Sequence, residues 1–370
     1  MKILHTADWH LGKTLMNRSL IDDQKFILEK FLAIVDDVKP DAIIIAGDVY
    51  DRTTPSTEAV ELFDKVLFEL TERQIPVLCI AGNHDSAERL NFGSRIFANK
   101  KFFITAKTAD KPETIRLTDD FGDVYFSLIP YFEPIEIRTK FFGDEQRRLT
   151  FDEANKFYLD EARKEIPAGA RSVAIAHVFI SGGETSDSER KFVGGAGNVS
   201  LQNFAGYDYV ALGHLHSAQK MSAENIRYSG SPLKYSASEA SHEKSVTLVE
   251  LDANGFVRAE NIPLKPLHDL IAVEKTLAEL QSQPPCYDYA YVTLTDDVFI
   301  YDAAQKLRDT FPNLMEAKNQ ARPEKFVDEP TRKFRENVSI FEQFADFFEE
   351  MSKRTLTDDE RAAMKEICGG

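Results

Sequence analysis

An α/β fold built on a parallel sheet is what this sequence predicts, and three observations predict it. Short apolar runs such as Ala42-Ile43-Ile44-Ile45-Ala46 read as strands buried on both faces, as in a sheet covered by helices on each side. Segments with apolar residues at helical spacing lie between them, so strand and helix alternate through the N-terminal part of the chain. The runs also break off abruptly into polar residues, at the carboxyl ends where open α/β sheets place their ligands.

The first strand is Ile3-Leu4-His5-Thr6-Ala7, ending at Asp8-Trp9-His10-Leu11-Gly12. Over residues 22–38, Phe26, Ile27, Phe31, Ile34 and Val35 recur at helical spacing and predict an amphipathic helix. The strand of residues 42–46 stops at Gly47-Asp48-Val49-Tyr50-Asp51. A helix over 56–73 follows, with Pro55 near its start, where a missing N–H costs little. The third strand, Val77-Leu78-Cys79-Ile80, breaks off at Ala81-Gly82-Asn83-His84-Asp85. This order of elements predicts right-handed crossovers.

Between Phe102 and Pro130, runs such as Val124-Tyr125-Phe126-Ser127-Leu128 predict strands of a second sheet. A helix over 151–164 precedes the strand 172–176, which stops at His177, and the strand 209–212, which stops at Gly213-His214-Leu215-His216. A strand over 245–251 closes this region, with Asp252-Ala253-Asn254-Gly255 as its turn. Pro263 and Pro266 mark a boundary, and beyond it strands at 270–273 and 289–295 alternate with helices at 275–281 and 303–310, a small α+β domain. Residues 320–336 are highly charged, carry Pro323 and Pro330, and read as a linker. Ile340, Phe341, Phe344, Phe347, Phe348 and Met351 then crowd one side of a helix, and a second helix starts at Thr357, in capping-box spacing with Glu360. The expected division is 1–265, 266–320 and 321–370.

A chain of 370 residues exceeds what one core usually holds, which agrees with that division. No apolar run approaches the roughly 20 residues that span a bilayer, and the start lacks a signal-peptide layout, so a cytoplasmic protein with no membrane partner is expected. Cys79, Cys286 and Cys368 form neither a CxxC pair nor a disulfide framework and read as reduced thiols. The net charge of −16 argues against gripping DNA through an overall field. It leaves a nucleic-acid enzyme open, because bound ions supply local positive charge and a basic partner can supply more.

Five strand ends carry chemistry: Asp8 with His10, Asp48, Asn83 with His84, His177, and His214 with His216. Carboxylate, imidazole and amide oxygen together suit Mn²⁺, Fe²⁺ or Zn²⁺ better than thiolate-seeking metals. In extended chain, residues i and i+2 point the same way, so Asp-x-His and His-x-His can each aim two ligands at one place. Taken singly, His10 or His177 is more simply a hydrogen-bonded core or surface residue, and Gly47-Asp48 only a turn. The weight lies in the joint pattern, since five of the eight histidines sit at the ends of strand-like runs while His5, His242 and His268 do not.

Asp8-x-His10, Gly47-Asp48-x-x-Asp51, Gly82-Asn83-His84-Asp85, His177 and Gly213-His214-x-His216 together resemble the motifs of the calcineurin-like metallophosphoesterases, over almost the whole chain. More narrowly, Thr6-Ala7-Asp8-Trp9-His10-Leu11-Gly12 and Tyr228-Ser229-Gly230-Ser231-Pro232 resemble the SbcD family of bacterial nuclease subunits. Ala176 stands where Gly is common in the superfamily, and Asp51 where archaeal and eukaryotic counterparts tend to carry His.

The resemblance implies a sandwich of two sheets flanked by helices and a centre of two divalent ions, Mn²⁺ above others. One ion would be held by Asp8, His10 and His216, the other by Asn83, His177 and His214, with Asp48 between them. Two such ions clamp the attacking and leaving oxygens of an in-line displacement. His84 would contact the phosphate and act as general acid, and Asp51 is assigned to orienting His84, with a plain salt bridge as the competing reading. The implied activity is DNA exonuclease and endonuclease cleavage of ends and hairpins, in repair, recombination and replication. Residues 266–320 would be a capping domain that contacts DNA, and the aromatic helix would dock on the coiled coil of an SbcC-type ATPase. No GxxxxGK[ST] loop is present, so ATP binding falls to that partner, in a heterotetramer containing a homodimer of this chain. The alternatives are a metallophosphatase of small phosphoesters, or a non-catalytic scaffold, which would be expected to have lost ligands.

Overall fold

The computed structural model describes residues 1–143, 148–189, 197–321, 340–352 and 354–367. Strand β1 (Lys2–Thr6) leads through α1 (Ile21–Val38) to β2 (Ala42–Ala46), and α2 (Thr57–Glu72) leads to β3 (Val77–Ile80) and then β4 (Phe102–Thr105). These four strands pair in parallel, in chain order. Every residue of β2 and β3 is buried, which is why both are unbroken apolar runs. The Ser56 side chain accepts from the Ala59 N–H and caps α2, so Pro55 lies just outside the helix.

A hairpin of β5 (Glu113–Asp119) and β6 (Gly122–Ile129) opens the second sheet. Helix α3 (Phe151–Arg163), started by a reciprocal Thr150–Glu153 capping box, leads to β7 (Arg171–His177), β8 (Tyr209–Gly213), β9 (Gln219–Lys220) and β10 (Ile226–Tyr228). The order is β9-β10-β8-β7-β6-β5, with parallel central strands and an antiparallel strand at each edge. The chain then returns to the first sheet: β11 (Ser245–Asp252) pairs antiparallel with β1, and β12 (Gly255–Pro263) with β11. Ile3, Ile44 and Ile80 of one sheet pack on Phe126, Leu128 and Ile175 of the other. Phe31 and Phe63 of α1 and α2 cover the first sheet outside, and Tyr158 and Leu159 of α3 cover the second.

Several details differ from expectation. Strand β4 extends the first sheet beside β3, so the second sheet begins only at β5. Strand β12 gave no sequence signal, because an edge strand with mostly exposed or half-buried residues has no apolar run to mark it.

The segment beyond Pro266 consists of β13 (Leu270–Lys275), α4 (Leu277–Gln281), β14 (Tyr289–Leu294), α5 (Ala303–Leu307) and β15 (Leu314–Asn319). Its three strands are parallel and enclose a core of Leu280, Val292, Leu307 and Phe311. Buried Asp23 of α1 ties it down, accepting from the His268 N–H at 3.1 Å and from the Tyr289 hydroxyl at 2.6 Å. Residues 1–296 and 300–320 form one unit, and 297–299 with 321–370 form another.

In that second unit, α6 (Ile340–Ser352) carries the aromatic face and α7 (Asp358–Ile367) starts behind Thr357, which exchanges hydrogen bonds with Glu360. Arg361 and Lys365 lie over the Phe341 ring, whereas Phe347 and Met351 are exposed. The expected linker lies outside the described residues from 322 onward, as does Cys368. Among the described residues, no helix is long and apolar enough to cross a membrane.

Candidate metal centre

The carboxyl ends of β1, β2 and β3 in one sheet and of β7 and β8 in the other meet at one edge of the sandwich, and they bring all the predicted residues together. The loops after β1 and β2 continue as a parallel pair: the N–H groups of Asp8, His10 and Leu11 donate to the carbonyls of Gly47, Asp48 and Val49 at 3.0, 3.0 and 2.9 Å. Gln24 of α1 pins the first loop, donating to the His10 carbonyl at 2.7 Å and accepting from the Gly12 N–H at 2.9 Å. Asp8, His10, Asp48 and His214 have φ of 55°, 46°, 50° and 110°. Such conformations cost on the order of 1–3 kcal/mol each and persist where the surroundings over-determine them.

Asp8, His10, Asp48, His177, His214 and His216 are buried, while Asn83 and His84 are half-buried. The His177 Nδ1–H donates to the Ala46 carbonyl at 2.9 Å, so in the neutral imidazole it is Nε2 that carries the lone pair. That Nε2 lies 3.1 Å from Asn83 Oδ1 and 3.4 Å from Asp48 Oδ2. His214 Nδ1 is 2.9 Å from the same Asn83 oxygen, and both Asp8 oxygens accept the His214 main-chain N–H. Across the centre, His10 Nε2 is 3.1 Å from His216 Nε2 and 3.6 Å from Asp48 Oδ2. Donor atoms of Asp8, His10 and His216 lie within 4.8 Å of one another, as do those of Asp8, Asp48 and His177, and of His10, Asp48 and His84.

Electron-rich atoms thus face one another across two foci, with Asp48 beside both. Carboxylate oxygens, an amide oxygen and imidazole nitrogens gathered in this way fit divalent cations. The surrounding carboxylates also favour positive charge at this place. Burial alone would suppress protonation of His177, but the carboxylates of Asp48 and Asp8 outweigh it and lift its pKa to about 9. Burial pushes Asp8 up to about 7, whereas at Asp48 the neighbouring histidines outweigh burial and hold the carboxyl well below the usual range. Burial and the charge of His177 bring His214 down to about 3.

His84 lies at the mouth. Its N–H donates to Asp48 Oδ1 and its Nδ1 to the Asp51 main-chain carbonyl, both at 2.8 Å, which leaves Nε2 as the nitrogen for a reacting group. Asn83, His84, Ser188 and Glu189 line an open cavity of about 270 Å³. Asp51 meets His84 through its backbone carbonyl, while Lys13 holds its carboxylate at 2.7 Å.

Four further residues support the site, and three of them gave no sequence signal of their role. Asp85 accepts the N–H groups of Val49, Tyr50 and Gly82 at 3.1, 2.9 and 2.9 Å and fastens the second loop to the third. Ser188, Glu239 and Lys244 stand behind His216. Asp85 had a visible hint, a carboxylate three residues beyond Gly82 at a strand end, but the other three lie in irregular segments without periodicity.

This arrangement is that of a metal-dependent phosphoesterase. Residues 1–218 match the family model of the calcineurin-like phosphoesterases, which bind divalent metals, and residues 266–352 match that of the type 5 capsule protein repressor C-terminal domain. The chain is 36% identical over 325 residues to the D subunit of the SbcCD nuclease of Staphylococcus epidermidis, covering 86% of this chain and 85% of that one. Among solved structures it is similar to TT1561 of Thermus thermophilus, at 15% identity over 71% of this chain and 99% of that one, with a TM-score of 0.42. It is also similar to a dimetal phosphatase from Danio rerio, at 12% identity over 72% and 99%, with a TM-score of 0.40. The chain belongs to the calcineurin-like phosphoesterases and, within them, to the family of SbcCD D subunits.

Proposed function

We propose that this chain is the DNA-cleaving subunit of a nuclease assembly, cutting phosphodiester bonds at DNA ends and hairpins with two Mn²⁺ ions, in the cytoplasm and together with an SbcC-type ATPase. The observation that carries the chemistry is the convergence of bare imidazole, carboxylate and amide-oxygen atoms on two adjoining foci. Asp8, His10 and His216 are assigned to one ion, Asn83, His177 and His214 to the other, and Asp48 to both. Ions held there supply Lewis acidity, polarising a phosphoryl oxygen and acidifying a water enough to attack at neutral pH. His84, with its hydrogen-bonded Nδ1 turned to the Asp51 carbonyl, contacts the phosphate and delivers a proton from Nε2 to the leaving oxygen. Asp51 acts on His84 through its main chain, and its carboxylate serves the pair with Lys13.

Residues 1–265 form the nuclease domain, 266–320 a capping domain that contacts DNA, and 321–370 the partner-binding segment. Exposed Phe347 and Met351 on α6 support docking on the coiled coil of the ATPase, which brings the ATP site. Two copies of each subunit make the assembly. With a net charge of −16, attraction for DNA has to come from the bound ions and the partner.

The test is Mn²⁺-dependent cleavage of blunt, hairpin and protein-blocked DNA, with and without the ATPase, beside a small phosphodiester. Faster cleavage of hairpin DNA supports the proposal. Cleavage of the small ester alone would make this a small-molecule phosphatase, and no cleavage in any arm would favour a scaffold.

A further inference from the structure

Behind His216 lies a chain of buried hydrogen bonds whose proton order can be read from its ends. Lys244 Nζ, a donor only, sits 2.6 Å from Glu239 Oε2. Ser188 Oγ lies 2.5 Å from Glu239 Oε1 and 2.7 Å from His216 Nδ1. The carboxylate can only accept, so the serine hydroxyl donates to Glu239 and its oxygen accepts from the His216 Nδ1–H. His216 Nε2 is therefore bare, and it is this nitrogen that lies 3.1 Å from His10 Nε2. Lys244 also grips the backbone of the same residue, donating to the His216 carbonyl at 2.8 Å and to Ser231 Oγ at 2.9 Å.

Glu239 is fully buried and Lys244 is 6% exposed. A buried ion pair is a poor source of stability, since apolar residues of similar volume often replace one without loss. Holding one imidazole tautomer at one angle is a task that apolar packing does not perform. Partners that hydrogen-bond the far nitrogen of a ligating histidine commonly change metal affinity about 10–100-fold.

We infer that Lys244, Glu239 and Ser188 form a positioning relay that holds His216 with Nε2 bare toward the ion it shares with Asp8 and His10, an inference that rests on the metal reading above. The two foci separate this role from a general structural one, because the relay touches His216 and none of Asn83, His177 or His214.

The test is Mn²⁺ titration of the ion-free full-length chain by calorimetry, with Co²⁺ absorption spectra as a second readout. E239Q/K244M removes both charges and leaves neither buried alone, and S188A removes only the hydroxyl link. The double variant is expected to weaken one of two binding events about 10–100-fold and change its Co²⁺ spectrum, with the other event unaltered. S188A is expected to weaken the same event less, because Glu239 Oε1 stands 3.3 Å from His216 Nδ1 and can take over. Wild-type affinities and spectra in a folded double variant, or an equal loss in both events, would overturn the relay. If the double variant does not fold, S188A decides by the same criterion. A wild-type protein that binds no ion would instead remove the metal reading itself.

Discussion

Gly213→Ala tests the steric demand that brings the two sheets together at the site. A Cβ there would stand 1.9 Å from the Ala46 carbonyl oxygen and 2.8 Å from His177 Nδ1. Ordinary contact begins at 3.4 Å, so β8 and β2 must part by about 1.5 Å, the difference between that distance and 1.9 Å. The same carbonyl accepts the His177 Nδ1–H at 2.9 Å, so this shift also breaks the bond that fixes the His177 tautomer. Overpacking typically costs about 1–3 kcal/mol and a lost hydrogen bond about 1 kcal/mol more, so a total of roughly 2–4 kcal/mol is expected. Gly206→Ala is the control: its φ of 92° strains an alanine, but nothing lies within 4 Å of the new Cβ. That strain is worth only about 1–2 kcal/mol and touches no ligand. The assay is urea unfolding of both ion-free variants, followed by Mn²⁺ titration. A Gly213→Ala protein that unfolds at the wild-type midpoint and binds ions as the wild type does would refute this steric demand.

Three further outcomes are expected. His84→Asn should bind ions normally and lose cleavage by about 10²-fold or more, the usual weight of a general acid; undiminished cleavage would remove His84 from the chemistry. Asp119→Asn breaks a part-buried pair in which Arg171 Nη2 meets Oδ1 at 2.5 Å and Nη1 meets Oδ2 at 3.0 Å, with the Met1 amino group 2.8 Å from Oδ2. The Arg171 hydrogen bonds hold the Asp119 carboxyl well below the usual range, so its stabilisation is present above the unfolded pKa near 3.9 and fades as pH falls through the lower folded value. The variant should therefore cost about 2 kcal/mol at neutral pH, and unfolding measured between pH 7 and 2 should show that difference shrinking toward the acid end. Deleting everything after Val338 should abolish co-purification with the ATPase while sparing ion binding, and normal co-purification would refute docking through α6.

The fold and the site differ in how far they could be read from sequence. Strands β2 and β3 were legible because burial on both faces leaves an unbroken apolar run, whereas β12 and β15, half-exposed, leave none. The candidate ligands were legible because polar residues collect where apolar runs stop. Glu239 and Lys244 were not, because burial of a charge in an irregular segment is decided by distant chain, here His216 and Ser188, and leaves no local pattern. Asp51 shows the same limit from the other side: its contact to His84 runs through the backbone carbonyl, which no side-chain pattern reports.

The glycines sharpen the point. From sequence, Gly47, Gly82 and Gly213 are punctuation at strand ends. In the structure each is space taken up by another motif: a Cβ on Gly47 would come within 2.4 Å of His177 Nδ1, and one on Gly82 within 2.1 Å of Asp48 Oδ1. The second motif accommodates the fourth, the third accommodates the second, and Gly213 of the fifth accommodates the Ala46 carbonyl that orients the fourth. The motifs are therefore not independent signals whose separate weaknesses multiply. Three of the five supply space that a residue of another motif fills, so the second, third, fourth and fifth motifs interlock.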